Sequence, residues 1–558
     1  MSLFKQHELG LAPFVKGNRI LEKCYPFLGL PIERLFSCPK INEACAKAFY
    51  ACQKDPNTNF FTFLVNYFQY SYAIQQADLS KIPKSGPLII VCNHPFGGID
   101  GLLHGHITLS RRSDAKFMSN NLTAGHPALE PLTFSVNNWD SGDNKHSNAQ
   151  TLLSTIRWLK KGHCLGVFPA GEVAYFSIKK GRILEPPWLA HIAKMAQISK
   201  ANIVPMYFDG RNSLWFNLLG LIHPRLRTFS LLNEMFNKPK CRQTRIVIGK
   251  MMTAKNLRCM DSKVANDWLR GNTLMLKHRP STSDHLHKIA VQQHSIRRTQ
   301  SALAPPISPH LLAENIANLP LESLLLTQGE FQVYCAKHHL LPSIMPEIGR
   351  LRELTYRLAE EGTGNSTDLD SFDPHYQHLF VWNKQHKAIA GAYRIVTFSP
   401  NEKSPKLYIN TLFKLDPKFF KQLGPGIELG RSFVSPAYQK RAYSLMLLWK
   451  GIGEFLYRNQ QYRALFGPVS IANSYRTVSK IFMVNFLKKH AYDDDLAQWV
   501  KARTPWKEKQ RGDALSVKPQ SIEQLNYVVE NIEGNKGIPV LMGSDQRITP
   551  EIVRINSD

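Results

Sequence analysis

The sequence lacks several features that would assign it to a common class of protein. Its nine cysteines include no Cys-x-x-Cys pair, so neither a disulfide framework nor a zinc site is predicted, and a reducing compartment is expected. No run of about 18 apolar residues occurs, which predicts no transmembrane helix. The amino-terminal residues have no long apolar core, so no secretory signal is expected.

Acidic residues are scarce: 43 Asp and Glu stand against 70 Lys and Arg, which gives a formal net charge of +27. Such a charge favours an anionic partner, whether nucleic acid, acidic lipid headgroups or an acidic protein. The basic residues are spread along the chain without a long Lys/Arg run, so nucleic acid is not indicated. A soluble protein that is simply basic remains open, and any membrane association is predicted to be peripheral.

The length of 558 residues exceeds what one hydrophobic core supports, so two or more domains are expected. Hydrophobic residues make up 43% and charged residues 20%, which indicates a globular chain. A polar stretch that ends rich in proline is the best linker candidate. The predicted organisation is a helical region at 1–80, a domain at 81–280, the linker at 281–309, a second domain at 310–490 and a carboxyl-terminal extension at 491–558.

Apolar runs that end in Gly- or Pro-containing turns alternate with helical stretches in the first domain. The runs LIIVC, CLGVFPAGE and NIVPMYFDG predict buried strands, and therefore an α/β architecture. The second domain is predicted to be α/β or α+β, with strands in HLFVW, AIAGAYRIVTF, KLYINTLF, IELGRSFV and ALFGPVS.

The stretch FFTFLVNYFQYSYAI places aromatic residues at helical spacing between Phe60 and Phe68. Such a face either lies in a lipid interface or is packed core. Both interpretations remain open at this stage.

The run IIVCNHPFGGIDG is the first group of residues with a chemical function. Asn93 and His94 follow the predicted strand at its carboxyl end, where open α/β sheets place their sites. Asp100 comes where a helix is expected to begin. A histidine with a nearby carboxylate is the minimum apparatus for general-base activation of a hydroxyl. The alternative is a histidine in a polar loop, with Asp100 as a helix N-cap.

This region resembles the glycerolipid acyltransferase family with a PlsC-type domain, over about residues 80–255. Its signature His and Asp appear in NHPFGGID, with five intervening residues in place of the usual four, as in the branch that acylates lyso-ornithine lipid. The motif Phe-Pro-Glu-Gly-Thr-Arg-Ser appears here as FPAGEV, and an apolar run ends at Pro205. The resemblance implies His94 and Asp100 as catalytic residues. It implies as substrate-binding residues Asn93, Pro95, Gly97, Phe168, Pro169, Gly171, Glu172 and Pro205.

The arginine of that motif is missing, because Val173 and Ala174 follow Glu172. In the family this arginine is thought to meet the phosphate of the acceptor, a role that suits its planar fork of donors. An acceptor without phosphate is therefore favoured. Arg211 in FDGRNS is a candidate replacement and is predicted to contact substrate.

The run GIELGRSFVSP places Glu428 and Arg431 on a predicted strand of the second domain. Residues three apart point to opposite faces of a regular strand, so a shared site requires a bulge. Otherwise the two residues have separate roles. The alternative is a surface ion pair and a satisfied edge charge.

An acidic cluster lies upstream of that strand, after a predicted helix that carries Arg350 and Arg352. Asp368, Asp370 and Asp373 form the cluster. Carboxylates suit a hard cation, but the calcium-loop pattern is missing and no metal is predicted. Recognition of an amino group is preferred, and solvation of a loop remains open.

This domain resembles the carrier-protein-dependent N-acyltransferases of the GNAT-like superfamily, over about residues 310–490. These include ornithine N-acyltransferases and, more distantly, autoinducer synthases, whose Glu-x-x-Arg-Phe strand is similar to ELGRSFV. The resemblance implies Glu428 and Arg431 as catalytic residues and Arg352, Asp370 and Asp373 as substrate contacts.

Two departures from the superfamily pattern concern the donor and the end of the domain. The glycine-rich loop that cradles the coenzyme A pyrophosphate corresponds here to QKRAYS at 439–444, without glycine. This favours an acyl carrier protein donor. The polar end that begins at Gly543 indicates a shortened domain, because the family continues there into another strand.

Together the two domains resemble the bifunctional ornithine-lipid synthase family. The resemblance implies that the second domain acylates the α-amine of ornithine with a 3-hydroxyacyl group and that the first acylates that hydroxyl. The implied co-substrate is an acyl carrier protein thioester, with no further cofactor. The implied partners are acyl carrier protein, an anionic membrane surface and an amino acid or lyso-lipid acceptor. The implied location is the cytoplasmic side of the inner membrane, held peripherally.

Two alternatives remain. One is a lysophospholipid acyltransferase of the 1-acylglycerol-3-phosphate type with a degenerate second domain. The other is a basic membrane-binding protein that has lost catalysis, which the intact pair of His94 and Asp100 disfavours. The acceptor amino acid is left open among ornithine, glycine and serine.

Overall fold

The computed structural model of the chain forms two compact units, each with helices packed on a sheet, and so confirms the predicted two-domain α/β class. The first unit falls within Met1–Arg279 and takes in parts of Gly512–Lys518 and Glu530–Asn535. The second unit holds the other described residues. The residues described are 34, 37–55, 57–120, 127–136, 145–189, 191–222, 230–231, 233–236, 243–258, 260–280, 300–400, 406–439, 442–506, 517–534, 536–539 and 542.

The first unit alternates strands with helices. Its described strands are β1 (Tyr72–Ala73), β2 (Leu88–Cys92), β3 (Ala115–Asn120), β4 (Thr133–Val136), β5 (Cys164–Val167), β6 (Tyr175–Ser177), β7 (Arg182–Leu184), β8 (Asn202–Phe208) and β9 (Thr244–Ile248). Its described helices are α1 (Cys38–Lys54), α2 (Phe60–Tyr67), α3 (Gln76–Leu79), α4 (Gly98–Leu109), α5 (Lys145–Lys160), α6 (His191–Ser199), α7 (Leu214–Ile222), α8 (Ala254–Arg258) and α9 (Ser262–Met275).

Strand β2 is central in the first unit's sheet, whose order is β1-β9-β8-β2-β5-β3-β4. All five of its residues, LIIVC, are buried, because it pairs in parallel with β5 on one side and β8 on the other. Parallel strands end at the same edge of a sheet, so the loops that follow β2, β5 and β8 meet there. The three strands predicted from the apolar runs are confirmed.

Helix α2 decides the open question about the aromatic stretch. Asn59 caps it by accepting hydrogen bonds from the backbone N–H groups of Phe61 and Thr62. Phe60, Phe61 and Leu64 are buried in the first unit's core, so the interpretation as packed core is confirmed and the interfacial one is wrong. None of the described helices is both long and apolar enough to cross a bilayer.

A buried arginine links the first unit's domain to residues near the end of the chain. The Arg279 guanidinium donates to the Asp78 carboxylate at 2.8 Å, to the Ile248 carbonyl at 2.8 Å and to the Asn531 carbonyl at 2.8 Å. Part of the segment 491–558, expected to be a separate extension, therefore completes the first unit's core.

The second unit has eight described strands and seven described helices. The strands are β10 (Leu324–Gln328), β11 (Phe331–Lys337), β12 (Gln377–Asn383), β13 (Ala388–Phe398), β14 (Phe413–Leu415), β15 (Gly426–Val434), β16 (Ala464–Phe466) and β17 (Val500–Ala502). The helices are α10 (Pro309–Ala317), α11 (Ile344–Leu358), α12 (Pro417–Leu423), α13 (Ala442–Arg458), α14 (Thr477–His490), α15 (Asp494–Ala497) and α16 (Ile522–Glu533), of which the residues from Glu530 onward belong to the first unit.

The main sheet of the second unit has the order β10-β11-β12-β13-β15-β16. Its neighbours are antiparallel except β15 and β16, which are parallel. One core cluster joins the sheet to residues of α13, such as Leu447 and Leu448. Another joins it to residues of α11, such as Ile344 and Ile348. The sheet therefore packs against α13 in one hydrophobic core and against α11 in another.

The second unit extends beyond the residues 310–490 assigned to it from the sequence. Ser301 and Ala304 donate backbone hydrogen bonds to the Gly364 and Ser366 carbonyls at 2.8 and 3.0 Å. At the other end, β17 pairs with β14. The residues 281–299 of the predicted linker lie outside the described residues.

One predicted strand of this unit is mostly absent. In KLYINTLF, Tyr408–Thr411 forms a short 3₁₀ turn and only Phe413 begins a strand. The turn brings the backbone N–H groups of Tyr408 and Ile409 onto a buried carboxylate, that of Glu428. A tertiary contact therefore overrides the β propensity of this run.

We predict that Asp78→Ala lowers the stability of the first unit by about 3 kcal/mol, because it leaves the buried Arg279 without its carboxylate. Urea unfolding of the full chain, followed by intrinsic fluorescence, measures the change. Asp55→Ala is the control, because Asp55 is exposed and bonds only to the nearby Asn57 and Thr58. Equal midpoints for the two variants would show that this ion pair does not hold the first unit together.

Candidate active sites

His94 and Asp100 are brought together at the carboxyl end of β2. His94 Nδ1 lies 3.1 Å from Asp100 Oδ2. The carboxylate is fully buried, whereas the histidine side chain keeps 16% of its surface exposed. Asp100 also accepts hydrogen bonds from the backbone N–H groups of Phe96 at 2.8 Å and Gly101 at 2.9 Å. Three hydrogen bonds therefore fix its position.

Asp100 is not the N-cap of helix α4, which was the structural alternative for this residue. The N-cap is Gly97, with a φ of 90°, and Asp100 lies in the first turn. A Cβ on Gly97 would also come within 2.9 Å of Leu231 and 3.2 Å of Val173. The turn therefore requires glycine, both for its φ and for space.

The pairing of His94 with Asp100 decides which ring nitrogen is available for chemistry. A carboxylate accepts a hydrogen bond from Nδ1–H, so the proton of the neutral ring stays on Nδ1 and Nε2 keeps its lone pair. Nε2 forms no hydrogen bond with any residue that the structure describes. The geometry is that of a general base held by a carboxylate, at the edge of the sheet where solvent reaches it.

Phe168, from the loop after β5, stacks on the His94 ring with centroids 4.1 Å apart and an interplanar angle of 24°. The His104 ring packs edge-on against the same Phe168 ring, with the two centroids 5.4 Å apart. Burial lowers the pKa of His104 to about 3, so this second imidazole is neutral and acts as packing. Sequence reasoning did not identify His104, because nothing in its helical position distinguished it.

The remainder of the motif after β5 covers the backbone of the His94 loop. Ala174 donates its N–H to the His94 carbonyl at 2.8 Å. Gly171 closes a tight turn with a φ of 67°, and its N–H bonds to the Phe168 carbonyl at 3.0 Å. Pro169 is buried, whereas Gly171 and Glu172 are exposed at the edge of the sheet. This segment is therefore placed to border a substrate.

Three of the residues predicted to contact substrate, Asn93, Pro95 and Pro205, have partners or positions within the fold. The Asn93 amide donates to the Phe208 carbonyl at 2.9 Å and accepts from the Phe208 N–H at 2.7 Å, so it ties β2 to β8. Pro95 is buried. Pro205 lies within β8, paired with Val91. These contacts and this burial help to fix the edge of the sheet that carries the site.

Arg211 lies exposed in the loop after β8, beside the His94 loop. Its neighbour Asn212 donates to the Phe96 carbonyl at 3.3 Å, and Gly210 fits against the Phe96 ring, which a Cβ would strike at 2.1 Å. All three loops predicted to carry the site therefore meet at one edge of the sheet.

Glu185 is a residue of this site that sequence reasoning missed. Its carboxylate accepts a hydrogen bond from the His94 N–H at 3.4 Å and from the Trp188 indole at 2.6 Å. Burial raises the pKa of Glu185 to about 7, although the bond from Trp188 and the charge of Arg270 oppose the rise. No motif marks this residue, because it enters from the strand-end after β7.

A bulge in β15 resolves the spacing of Glu428 and Arg431. Ala392 faces Phe433, but Arg394 faces Gly430, so β15 has one residue more than β13 over this step. Arg431 adopts a left-handed φ of 48° at the bulge. The bulge required for a shared site is therefore present.

Glu428 is buried, with 1% of its surface exposed, which rules out a surface ion pair. It accepts hydrogen bonds from the Tyr376 hydroxyl and from the backbone N–H groups of Tyr408 at 3.1 Å and Ile409 at 2.8 Å. Burial raises the pKa of Glu428. The Tyr408 ring lies between the guanidinium groups of Arg394 and Arg431, at 4.9 and 5.3 Å.

Three arginines neutralise the acidic cluster of this unit. Arg352 bonds to Asp373 at 2.8 Å and Arg394 bonds to Asp370 at 2.7 Å. Arg431 lies 3.6 Å from both Asp368 and Asp370. Asp368 and Asp373 are buried, so loop solvation is not their role.

Arg394 is the functional candidate that sequence reasoning missed in this unit. It was hidden in the apolar run AIAGAYRIVTF. Its side chain is fully buried, and its Nε and Nη2 have no hydrogen-bond partner among the residues described. Arg431 is more open, with 25% of its side chain exposed. Donors without acceptors inside an ionic cluster are suited to an anionic group of a substrate.

Strands β15 and β16 separate at the candidate site. They pair from Gly426 with Ala464 to Glu428 with Phe466. Beyond Glu428, none of the described strands pairs with this edge of β15, which continues to Val434. This edge of β15, without a partner strand among the described residues, borders the site and is a candidate surface for an extended ligand to bind as a further strand.

Residues 47–281 match the family model described as an acyltransferase, and residues 351–450 match that of an acetyltransferase (GNAT) domain. A glycine N(alpha)-acyltransferase of Bacteroides thetaiotaomicron is 33% identical over 202 residues, which are 34% of this chain and 60% of that protein. A lyso-glycine lipid O-acyltransferase of Phocaeicola vulgatus is 27% identical over 139 residues, which are 25% of this chain and 47% of that protein.

This chain therefore spans less than two thirds of the length of either relative. A solved structure is also similar, the 1-acyl-sn-glycerophosphate (LPA) acyltransferase PlsC from Thermotoga maritima. It is 17% identical, with a TM-score of 0.25, and the match covers 50% of this chain and 96% of that one.

We predict that the first unit loses stability as the pH falls from about 6.5 towards 3 and that His104 contributes to the loss. Its folded pKa of about 3 lies below the ordinary value near 6.5. The unfolded chain therefore binds the proton first, which costs up to about 1.4 kcal/mol per pH unit. Urea unfolding at pH 7.5, 6 and 5 gives the unfolding free energy at each pH. That free energy should fall less steeply with decreasing pH for His104→Gln than for the exposed control His310→Gln. Identical slopes would contradict the assignment.

Proposed function

The chain joins an acyltransferase domain to a GNAT domain, and we propose that it acylates an amino acid twice to make a membrane aminolipid. The GNAT domain transfers a 3-hydroxyacyl group to the α-amine. The acyltransferase domain then transfers a second acyl group to the 3-hydroxyl. The observation that carries the proposal is the pair of His94 and Asp100 in one unit and the arginine-lined site around Glu428 in the other.

In the O-acylation step, the acceptor hydroxyl attacks the carbonyl carbon of a thioester. His94 Nε2 removes the hydroxyl proton as the new C–O bond forms, and Asp100 stabilises the resulting imidazolium. The C–S bond then breaks, and the imidazolium returns the proton to the leaving thiolate. No serine or cysteine nucleophile is needed, because the acceptor itself attacks.

We further propose that the O-acylation acceptor carries no phosphate. Val173, which is buried, stands in the third motif near the position of the usual phosphate-binding arginine. A lyso-glycine lipid, named for one relative, is a phosphate-free acceptor of this kind. Arg211, exposed at the same edge, is the residue proposed to contact its carboxylate.

In the N-acylation step, the acceptor amine attacks the thioester carbonyl carbon and its proton passes to Glu428, directly or through the Tyr376 hydroxyl. The C–S bond then breaks as the amide forms, and the leaving thiolate takes up the proton. Arg431 binds the acceptor carboxylate, because it is the most open of the three arginines and its contacts to Asp368 and Asp370 are long. Asp370 is 25% exposed beside it and meets the acceptor ammonium before the proton is lost. Arg352 and Asp373 lie deeper and hold this arrangement.

The proposed donor is an acyl carrier protein thioester. The gap between β15 and β16 admits an extended pantetheine arm. The segment 439–444, which precedes or begins α13, contains no glycine, so a backbone cradle for pyrophosphate is hindered. The net charge of +27 favours encounter with an acidic carrier protein and with the anionic cytoplasmic leaflet. Peripheral binding at that membrane is part of the proposal.

The acceptor amino acid is proposed to be glycine, as in the name of the relative that matches 34% of this chain. Ornithine, which the bifunctional family implies, is the comparison. Expression in a host that lacks aminolipids, followed by lipid extraction and mass spectrometry, distinguishes the two by product mass. The absence of any N-acylated amino acid would favour a lysophospholipid acyltransferase with a degenerate second domain.

We predict that His94→Ala lowers O-acylation by about 10²–10⁴-fold and leaves N-acylation, so that the mono-acylated lipid accumulates. The physical reason is the loss of the imidazole proposed to remove the proton of the acceptor hydroxyl. Mass spectrometry of lipids from the expressing host measures both products. A normal diacyl product would overturn the assignment.

The reciprocal variant, Glu428→Gln, controls for general loss of folding. It is expected to abolish the N-acyl product while the protein still acylates a supplied lyso-lipid. If both variants lose both activities, the two sites are not independent and the proposed division of labour fails.

We also predict that carrier-protein thioesters are used at least about tenfold more efficiently than coenzyme A thioesters in N-acylation. The reason is the lack of a pyrophosphate cradle and the attraction of a basic protein for an acidic carrier. Measuring kcat/KM of the full chain with each 3-hydroxyacyl donor tests this. Comparable efficiencies would contradict it.

A further inference from the structure

Helix α7 turns its apolar side chains away from the protein, which is the reverse of an ordinary surface helix. It contains no charged residue. Phe216 and Asn217 face inward and are buried. Five other side chains are 45–78% exposed, and at about 100° per residue they lie within one arc of roughly 120°. They are Leu214, Trp215, Leu218, Leu221 and Ile222.

The hairpin of β6 and β7 extends this surface. Phe176 donates its N–H to the Asn217 side chain at 2.9 Å, so the hairpin adjoins α7. At the hairpin tip, Ile178 is 73% exposed and is followed by the exposed Lys179 and Lys180. We call Ile178 together with the five exposed side chains of α7 the apolar patch. Exposed apolar surface of this extent marks an interaction site.

The charge around the apolar patch selects its partner. Residues 173–184 and 210–222 contain Lys179, Lys180, Arg182 and Arg211, and the acidic residues Glu172, Glu185 and Asp209 flank these ranges. Glu234 lies at the start of α7, where it accepts a hydrogen bond from the Ser213 N–H at 3.3 Å. Exposed leucine, isoleucine and tryptophan side chains, with Lys179 and Lys180 exposed at the hairpin tip, match the interface of an anionic bilayer. An acidic carrier protein would engage the basic side chains but leave most of the apolar helix face uncovered.

Both elements of the apolar patch lead directly from the loops around His94. Ala174, just before β6, bonds to the His94 carbonyl at 2.8 Å. Asn212, just before α7, bonds to the Phe96 carbonyl at 3.3 Å. The patch and the catalytic edge of the sheet are therefore positioned by the same loops.

We propose that the apolar patch is the surface on which the first unit docks to an anionic lipid bilayer. The side chains of α7 enter the headgroup and acyl boundary, while Lys179, Lys180 and Arg211 meet the acidic headgroups. The consequence rests on the proposed function: a lyso-lipid acceptor reaches His94 from the bilayer without passing through water.

The test is sedimentation of the full chain with vesicles of phosphatidylglycerol and phosphatidylethanolamine that contain no substrate. We expect Trp215→Ser and Leu218→Ser each to weaken binding by about tenfold or more, because each removes an apolar side chain from the bilayer. Leu153→Ser is the matched control, since Leu153 is 54% exposed on α5 and Leu218 is 50% exposed. The control should bind within about twofold of the unaltered protein.

Three outcomes would overturn the proposal. Leu218→Ser and Leu153→Ser could bind vesicles equally. The unaltered protein could be a dimer that Leu218→Ser dissociates without any change in vesicle binding, which would make a second copy the occupant. Trp215→Ser and Leu218→Ser could lose acyl carrier protein binding while keeping vesicle binding. His94→Ala should bind vesicles like the unaltered protein whatever its activity, so failure of docking and failure of the proposed reaction are separate results.

Discussion

The parallel pairing of β2 with both β5 and β8 is the constraint on which the first candidate site depends. It forces three loops to the same edge of the sheet, although their sequences are more than 30 residues apart. His94 comes from one loop, its stacking partner Phe168 from the second and the neighbouring Asn212 from the third. Asn93 locks this edge by bonding both backbone groups of Phe208. The dyad of His94 and Asp100 is therefore rigid before any substrate arrives, and rigidity is what general-base catalysis needs.

The two units hold charge in different ways. At its candidate site, the first unit buries the Asp100 carboxylate, satisfies it with two backbone N–H groups and leaves Nε2 of His94 open. The second unit buries a network of arginines and aspartates around the bulge in β15. Burying such ions costs several kcal/mol each, and the pairing repays this only when the geometry is good. A network that keeps donors uncommitted, as Arg394 does, is explained better by binding of a charged substrate than by stability.

Helices α2 and α7 show why an apolar helix does not reveal its environment. Both are short and rich in Phe, Leu or Trp. Helix α2 packs in the first unit's core, whereas α7 leaves five apolar side chains exposed. The difference lies in what surrounds each helix, which the apolar pattern of the helix itself does not encode. In our proposal, α7 has the interfacial role that the sequence pattern suggested for Phe60 to Phe68, although the sequence pattern did not indicate α7.

The sequence by itself determined the two-domain α/β class, the central strands LIIVC, CLGVF and NIVPMYF, and the proximity of His94 to Asp100, because these depend on local apolar patterning and short spacing. Only the tertiary structure decided that Glu185 and His104 adjoin His94, that Arg394 joins Arg352 and Arg431, and that Asn93 and Pro205 serve the framework. It also showed that KLYINTLF is mostly a turn, held by Glu428, and that Asn531 completes the first unit beside Arg279. These facts join residues far apart in the chain through burial and hydrogen bonds, and no local pattern encodes which distant partner a side chain will meet.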